Sequence, residues 1–187
     1  MEFIKTELEG VYLIKPKRFG DNRGYFMETF RQNEFETAIG RHVDFIQDNE
    51  SASTRGVLRG LHFQRGGASQ AKLVRVSEGR VFDVAVDLRR SSPTFGRWIG
   101  VELSDENALQ LFIPRGFAHG FLVLSDKARF QYKVDNFYAP EAEASIIYND
   151  ETIGIEWPLS PEEFILSKKD TEGLSMSSPE IGSILFD

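Results

Sequence analysis

Apolar residues along this chain fall in short runs that alternate with polar positions and are cut by turn residues, the pattern of an all-β sandwich or barrel. The alternation predicts strands over 11–14, 25–30, 43–48, 57–64, 72–76, 80–87, 97–103, 109–113, 118–124, 128–134 and 144–148. Between them stand Ser77-Glu-Gly79, Ser91-Ser-Pro93, Ser104-Asp-Glu-Asn107, Pro114-Arg-Gly116 and Ser125-Asp126, all turn formers. Helix is scarce. One short helix is expected over 32–39, closed by Gly40 with Asn33 near its start, and a further turn opens at Ser160-Pro161. No linker or repeat marks a second domain. Residues 1–187 are therefore expected to form one domain, with a polar C-terminal extension after about residue 173 that packs loosely or as a short helix.

Composition narrows the classes. A chain of 187 residues can bury roughly 70% of its unfolded surface, and its 16 phenylalanines suit sheet faces and barrel interiors. With 22 Lys+Arg against 29 Asp+Glu, the net charge of -7 argues against a nucleic-acid partner. It leaves room for a small anion, because a few arginines in a cleft reverse the local field. The absence of cysteine rules out disulfides and thiolate chemistry. Charged residues in Met1-Glu-Phe-Ile-Lys-Thr-Glu are unlike a signal peptide, and no run approaches the ~20 apolar residues of a membrane span. No membrane partner is expected, and the expected compartment is the cytoplasm.

Strand alternation then sorts the polar side chains by face. Tyr132 shares a face with Ala128, Phe130 and Val134, Lys72 with Val74 and Val76, Asp83 with Val81 and Ala85, and His119 with Phe117, Phe121 and Val123. So much polarity on an inward face is costly unless paired or used. Arg59 and His62, three positions apart, should face opposite sides of a regular strand. A bulge at Gly60 would bring both to one side.

Each residue also has a plainer reading. His62 suits a satisfied core or rim position, His42 the surface, and Tyr132 a core position with its hydroxyl bonded. Lys72 could snorkel outward, Asp83 could anchor Arg59 or His119, and Asp170 could be a solvated loop charge. Gln47-Asp-Asn49 reads as a strand end turning into a loop. Paired histidines also raise a metal site. However, His62 and His119 stand 57 positions apart with no His-x-His element, and an inward lysine repels a cation. Only a site completed by Asp83 or another carboxylate keeps that reading open.

The ordered set of segments is more specific than any one residue. It comprises Phe19-Gly-Asp-Asn-Arg-Gly24 with Glu28, Gln47-Asp-Asn49, Gly56-Val-Leu-Arg-Gly-Leu-His-Phe-Gln64 and Gly79-Arg-Val-Phe-Asp-Val-Ala-Val-Asp87. It continues with Ser92-Pro-Thr-Phe-Gly96, Pro114-Arg-Gly-Phe-Ala-His-Gly-Phe121, Tyr132-Lys133, Tyr138-Ala-Pro140, Asn149-Asp150 and Trp157-Pro158. Taken together these resemble the dTDP-4-dehydrorhamnose 3,5-epimerase family nearly end to end. Phe63 and Tyr148 depart from the tyrosine and tryptophan common at those positions.

The resemblance implies a double-stranded β-helix, a cupin-like jelly roll with a few short helices. It implies His62 as general base, Asp170 as the carboxylate that orients and charges it, and Tyr132 as general acid on the opposite side of the sugar. Lys72 would stabilise the enolate oxygen, His119 and Asp83 would line the pocket, and Arg59 would bind the diphosphate. Gln47, Asp48, Asn49, Glu143 and Lys168 match substrate-binding positions. Arg23 and Glu28 match nucleotide contacts that reach across from the other subunit of a homodimer. The implied substrate is dTDP-4-dehydro-6-deoxy-D-glucose, a dTDP-4-keto-6-deoxyhexose, inverted at C3 and C5 to dTDP-4-dehydro-L-rhamnose without metal or cofactor. Rival readings are a 3-epimerase or ketoisomerase on a related sugar, and a non-catalytic sugar-nucleotide binding module.

Overall fold

The fold is taken from a computed structural model that describes all 187 residues. Its strands are β1 (Glu2–Lys5), β2 (Tyr12–Lys15), β3 (Arg18–Asp21), β4 (Gly24–Met27), β5 (Gln47–Thr54), β6 (Leu58–Gln64) and β7 (Lys72–Glu78). They continue as β8 (Arg80–Asp87), β9 (Trp98–Ser104), β10 (Gln110–Ile113), β11 (Phe117–Val123), β12 (Lys127–Val134) and β13 (Glu143–Ser145). Two α-helices, α1 (Gln32–Ile39) and α2 (Lys168–Thr171), complete the regular elements with a few single-turn 3-10 segments. No helix is long and apolar enough to cross a membrane.

Two antiparallel sheets face each other, ordered β1-β2-β10-β7-β12-β5 and β13-β6-β11-β8-β9, while β3 and β4 make a separate hairpin. This is the all-β sandwich expected from the alternation, and the jelly roll that the resemblance implied, in which the inward residues of both sheets make one core. Val74, Val76, Leu111 and Phe130 from the first sheet meet Val81, Ala85, Phe121 and Val123 from the second. Outside the first sheet lies α1, whose Phe35 is buried against Phe3, Phe30, Phe45 and Phe112.

Three segments differ from the pattern reading. The strand expected over 43–48 begins instead at Gln47 and runs through Thr54. Every inward residue of that strand up to Ser53 is polar, so hydrophobic alternation does not mark it. The single strand expected over 25–30 is the outer arm of the β3–β4 hairpin, with Tyr25 and Phe26 largely exposed. The segment after Gly173 is far from a loose extension. Leu174, Met176, Ile181, Ile184, Leu185 and Phe186 pack on the outer face of the second sheet. Hydrogen bonds from Phe186 N to Leu88 O (3.1 Å) and from Arg90 N to Phe186 O (2.9 Å) fix its end. A stretch with this many apolar residues on one side is held by burial despite its serines.

Candidate active site

Between the sheets, where the core ends at the stacked rings of Phe121 and Phe130 (centroids 4.2 Å apart), lies a cavity of about 720 Å³. Its two walls come from different sheets. From the first sheet β12 supplies Tyr132, β7 supplies Lys72, and β5 supplies Gln47, Asn49 and Ser51. From the second, β6 supplies Arg59 and His62, β11 supplies His119, and β13 supplies Glu143. The segment 165–170 closes one side with Ser167, Lys169 and Asp170.

Local backbone explains how these side chains converge. His62 and His119 are directly paired residues of β6 and β11, so they point to the same face. The register then slips by one residue before Arg59 pairs with Phe121. This bulge at Gly60 turns Arg59 to the same side as His62 and resolves the parity conflict in the sequence. Only glycine fits there. Gly60 has φ 142°, and a Cβ on it would stand 2.6 Å from the Cα of Gly120 on the adjacent strand. Arg59 Nη2 donates to Ser53 Oγ at 3.2 Å, aiming its guanidinium along β5.

Each histidine meets a carboxylate. His119 Nε2 and Asp83 Oδ2 are hydrogen-bonded at 2.9 Å, with His119 7% exposed and Asp83 wholly buried. Asp83 does not reach the cavity surface but stands behind His119. His62 Nε2 lies 3.0 Å from Asp170 Oδ1, yet off the hydrogen-bond direction. Asp170 is set by its own short helix: Oδ2 accepts from Ser167 Oγ (2.5 Å) and Ser167 N (3.0 Å), and Oδ1 accepts from Gly60 N (3.1 Å).

Electrostatics follow from this placement. Burial pushes the His62 imidazole down to about 4; Asp170 opposes that shift, while Lys169 and Lys72 add to it. His62 is therefore a neutral base across the neutral range. Burial lowers the Lys72 ammonium to about 8, against the pull of Asp83 and Glu143. Burial raises the Tyr132 phenol, keeping it protonated, with Arg59 opposing. Burial also works against charge on Asp170, but its bonds to Ser167 and Gly60 outweigh this and hold its carboxyl below the usual range. Nowhere do three His, Asp or Glu side chains come together as a cation-holding group.

Besides Asp83, which was expected to line the pocket, four expected residues lie outside the cavity. Lys168 points outward, 87% exposed beside Glu172, and Lys169, one position on in the same helical turn, faces the cavity and pairs with Glu143. Asp48 takes the opposite face of β5 from Gln47 and Asn49 and binds Lys133 Nζ at 2.8 Å. Arg23 and Glu28 stand on or beside the exposed hairpin, paired with Asp21 and Arg31, outside the cavity of their own chain. Among the residues without an expected role, Ser51 follows from the alternation Gln47–Asn49–Ser51. Ser167 follows from its place three residues before Asp170, the spacing of a capping box. Tyr138, whose hydroxyl donates to Glu143 Oε2 at 2.9 Å, sits on an irregular loop that periodicity cannot orient.

Comparison with known proteins gives a consistent result. A sequence model of the dTDP-4-dehydrorhamnose 3,5-epimerase family matches residues 5–178. The dTDP-4-dehydrorhamnose 3,5-epimerase of Salmonella typhimurium is 59% identical, over 91% of this chain and 92% of that protein. A crystal structure of the dTDP-6-deoxy-D-glucose-3,5-epimerase of Legionella pneumophila, in complex with dTDP-4-keto-L-rhamnose, superposes with a TM-score of 0.92. It is 47% identical, covering 100% of this chain and 98% of that one. A 3'-monoepimerase from Streptomyces bikiniensis, in complex with dTDP-quinovose, has a TM-score of 0.91 at 34% identity, covering 97% and 91%.

Proposed function

The chain belongs to the dTDP-4-dehydrorhamnose 3,5-epimerase family, and from that membership and the cavity we infer that it is an isomerase inverting C3 and C5 of dTDP-4-dehydro-6-deoxy-D-glucose. The observation that carries this reading is the opposition of two proton-transfer groups: a neutral imidazole on one sheet and a protonated phenol on the other, lining one cavity.

The chemistry runs as follows. C3 and C5 flank the C4 carbonyl, so removing either proton gives an enolate. His62 takes the proton from one face and becomes imidazolium. The negative charge gathers on the C4 oxygen, where the Lys72 ammonium lowers its energy; a preorganised donor at such a site contributes about 3 kcal/mol. Tyr132 then gives its proton to the other face of the same carbon, inverting it. Exchange with water restores the phenol and the imidazole before the second carbon reacts. A placed acid–base pair accelerates such transfers roughly 10²–10⁴-fold. Arg59 would bind the diphosphate, with Gln47, Asn49, His119 and Glu143 as further substrate contacts. No redox partner enters this sequence.

The cytoplasm and a homodimer belong to the same proposal. The exposed hairpin, with Phe19 54%, Tyr25 61% and Phe26 69% accessible, supports a second copy as partner. It would carry Arg23 and Glu28 to the neighbouring cavity. Sedimentation at several concentrations checks the dimer, which Phe26→Asp should dissociate.

The experiment for the activity is a proton NMR time course of the 4-keto sugar nucleotide in deuterated water. Deuterium entering both C3 and C5 with inversion is expected. Inversion at C3 alone would make the chain a monoepimerase, and binding without exchange would make it a binding module.

A further inference from the structure

Asp170 is carried by a strap between two anchors. Upstream, Ile165 N donates to Gly56 O (2.8 Å) and Leu58 N donates to Ile165 O (3.1 Å). Downstream, Leu174 N donates to Ser145 O (2.9 Å) and Ile147 N to Leu174 O (3.0 Å). Gly173 lies so close to the backbone there that a Cβ would come within 2.5 Å of Ile146 C. Between these anchors Asp170 itself accepts from Gly60 N, and the rest of α2 takes its geometry from its capping bonds and from what holds the two ends.

The downstream anchor contains a charge that the proposed chemistry does not use. Asp150 is 3% exposed and forms no ion pair; its whole bonding capacity goes to neutral donors. Oδ1 accepts from Thr152 N (2.9 Å) and Ile153 N (3.0 Å), shaping its own turn. Oδ2 accepts from Ser175 Oγ and Met176 N, both at 2.7 Å, on the stretch just beyond the strap. Burial opposes ionisation of Asp150, but these four bonds outweigh it and keep the carboxyl below its usual range. A buried carboxylate satisfied only by main-chain and hydroxyl donors is a strong, directional clamp. Thr152, Ile153 and the tail are thereby tied to one point.

We infer that Asp150 is a positioning residue: through Ser175 and Met176 it fixes the downstream end of the strap and so the place of Asp170 against His62. The inference rests on reading His62 and Asp170 as the base and its carboxylate. Misplacing a reacting group by about 1 Å can cost on the order of 100-fold in rate, which is why a remote clamp matters.

Protonation of the His62 ring, followed by long-range proton–nitrogen NMR, tests it without relying on turnover. The charged or titratable groups in the cavity around that ring are Asp170 and Lys169 on the strap, Arg59 on β6, Lys72 on β7, His119 on β11, Tyr132 on β12, Glu143 on β13 and Tyr138 on the loop before it. In Asp170→Asn the His62 midpoint should fall, because its nearest negative charge is gone. Asp150→Asn, which presents an amide where one pair of donors needs an acceptor, should move the midpoint the same way by part of that amount. It should also lower kcat roughly tenfold, with KM changed less than about twofold. Ser175→Ala, which deletes one hydroxyl, should show a smaller shift in the same direction. A folded Asp150→Asn protein with an unmoved His62 midpoint and kcat, or one that only melts earlier, overturns the inference. If that variant does not fold, an unmoved midpoint in Ser175→Ala overturns it equally. Midpoint shifts in a protein that never epimerises would support the clamp and reject the epimerase reading.

Discussion

The two histidine–carboxylate pairs on β6 and β11 sit side by side but are built differently. His119 and Asp83 both belong to strands of one sheet, are buried, and make an aligned bond. His62 is 25% exposed, and its carboxylate comes from outside the sheet, on a strap whose own hydrogen bonds fix it. The buried pair is held by that aligned bond and suits a fixed wall of the cavity. The second leaves its imidazole without an aligned bond, as expected of a base whose contacts tighten only around substrate. In the proposed mechanism, similar residue types thus take a structural and a chemical role according to which element supplies the carboxylate.

That contrast can be tested by removing each side in turn. The largest loss is expected for His62→Asn, which should cut solvent exchange at both carbons about 10²–10⁴-fold while dTDP-sugar binding, measured by calorimetry, persists. Lys72→Met should cost about 10²–10³-fold, and the same lysine shapes the pH profile. Activity needs a neutral His62 and a charged Lys72, so kcat/KM should rise as pH passes about 4 and fall as it passes about 8. Lys72→Arg, with a guanidinium that stays charged, should remove the alkaline limb at a lower plateau. Asp83→Asn should cost about 1–3 kcal/mol in a denaturant melt and move the alkaline limb to lower pH, because Asp83 supports the Lys72 charge, whereas Asp170→Asn should act mostly on kcat with little loss of stability. Equal stability losses in the two variants would erase the distinction. Ser167→Ala, which deletes one donor to Asp170, should lower kcat only severalfold, corresponding to about 1 kcal/mol.

The strands β6 through β12 were legible because apolar residues of the core mark them, in alternation with polar ones along β12 and as nearly continuous buried runs in β8, β10 and β11. β5 was not, because its inward residues Gln47, Asn49, Ser51 and Ser53 point toward the cavity side rather than into that core. The bulge at Gly60 could be foreseen from the conflict between Arg59 and His62, since both cannot face inward in a regular strand. The choice between Lys168 and Lys169 could not. It depends on the phase of a single four-residue helical turn that only its anchors define. Asp170 shows the same limit. Read alone it is a solvated loop charge, and its burial at 3% exposure comes with bonds to Ser167 and to Gly60, a residue 110 positions away that local sequence does not bring near. The apolar residues near the C-terminus were visible, but the outer face they cover belongs to strands far away in the chain.

The central claim is that proton removal and proton return come from opposite walls. Tyr132→Phe in deuterated water, with the 4-keto sugar nucleotide followed by NMR, tests it most directly. Without the phenol, the enolate should still form at His62 and pick up deuterium on the side it left, so label enters while configuration is retained. Normal inversion at both carbons, or loss of label and inversion in equal measure, would contradict the account.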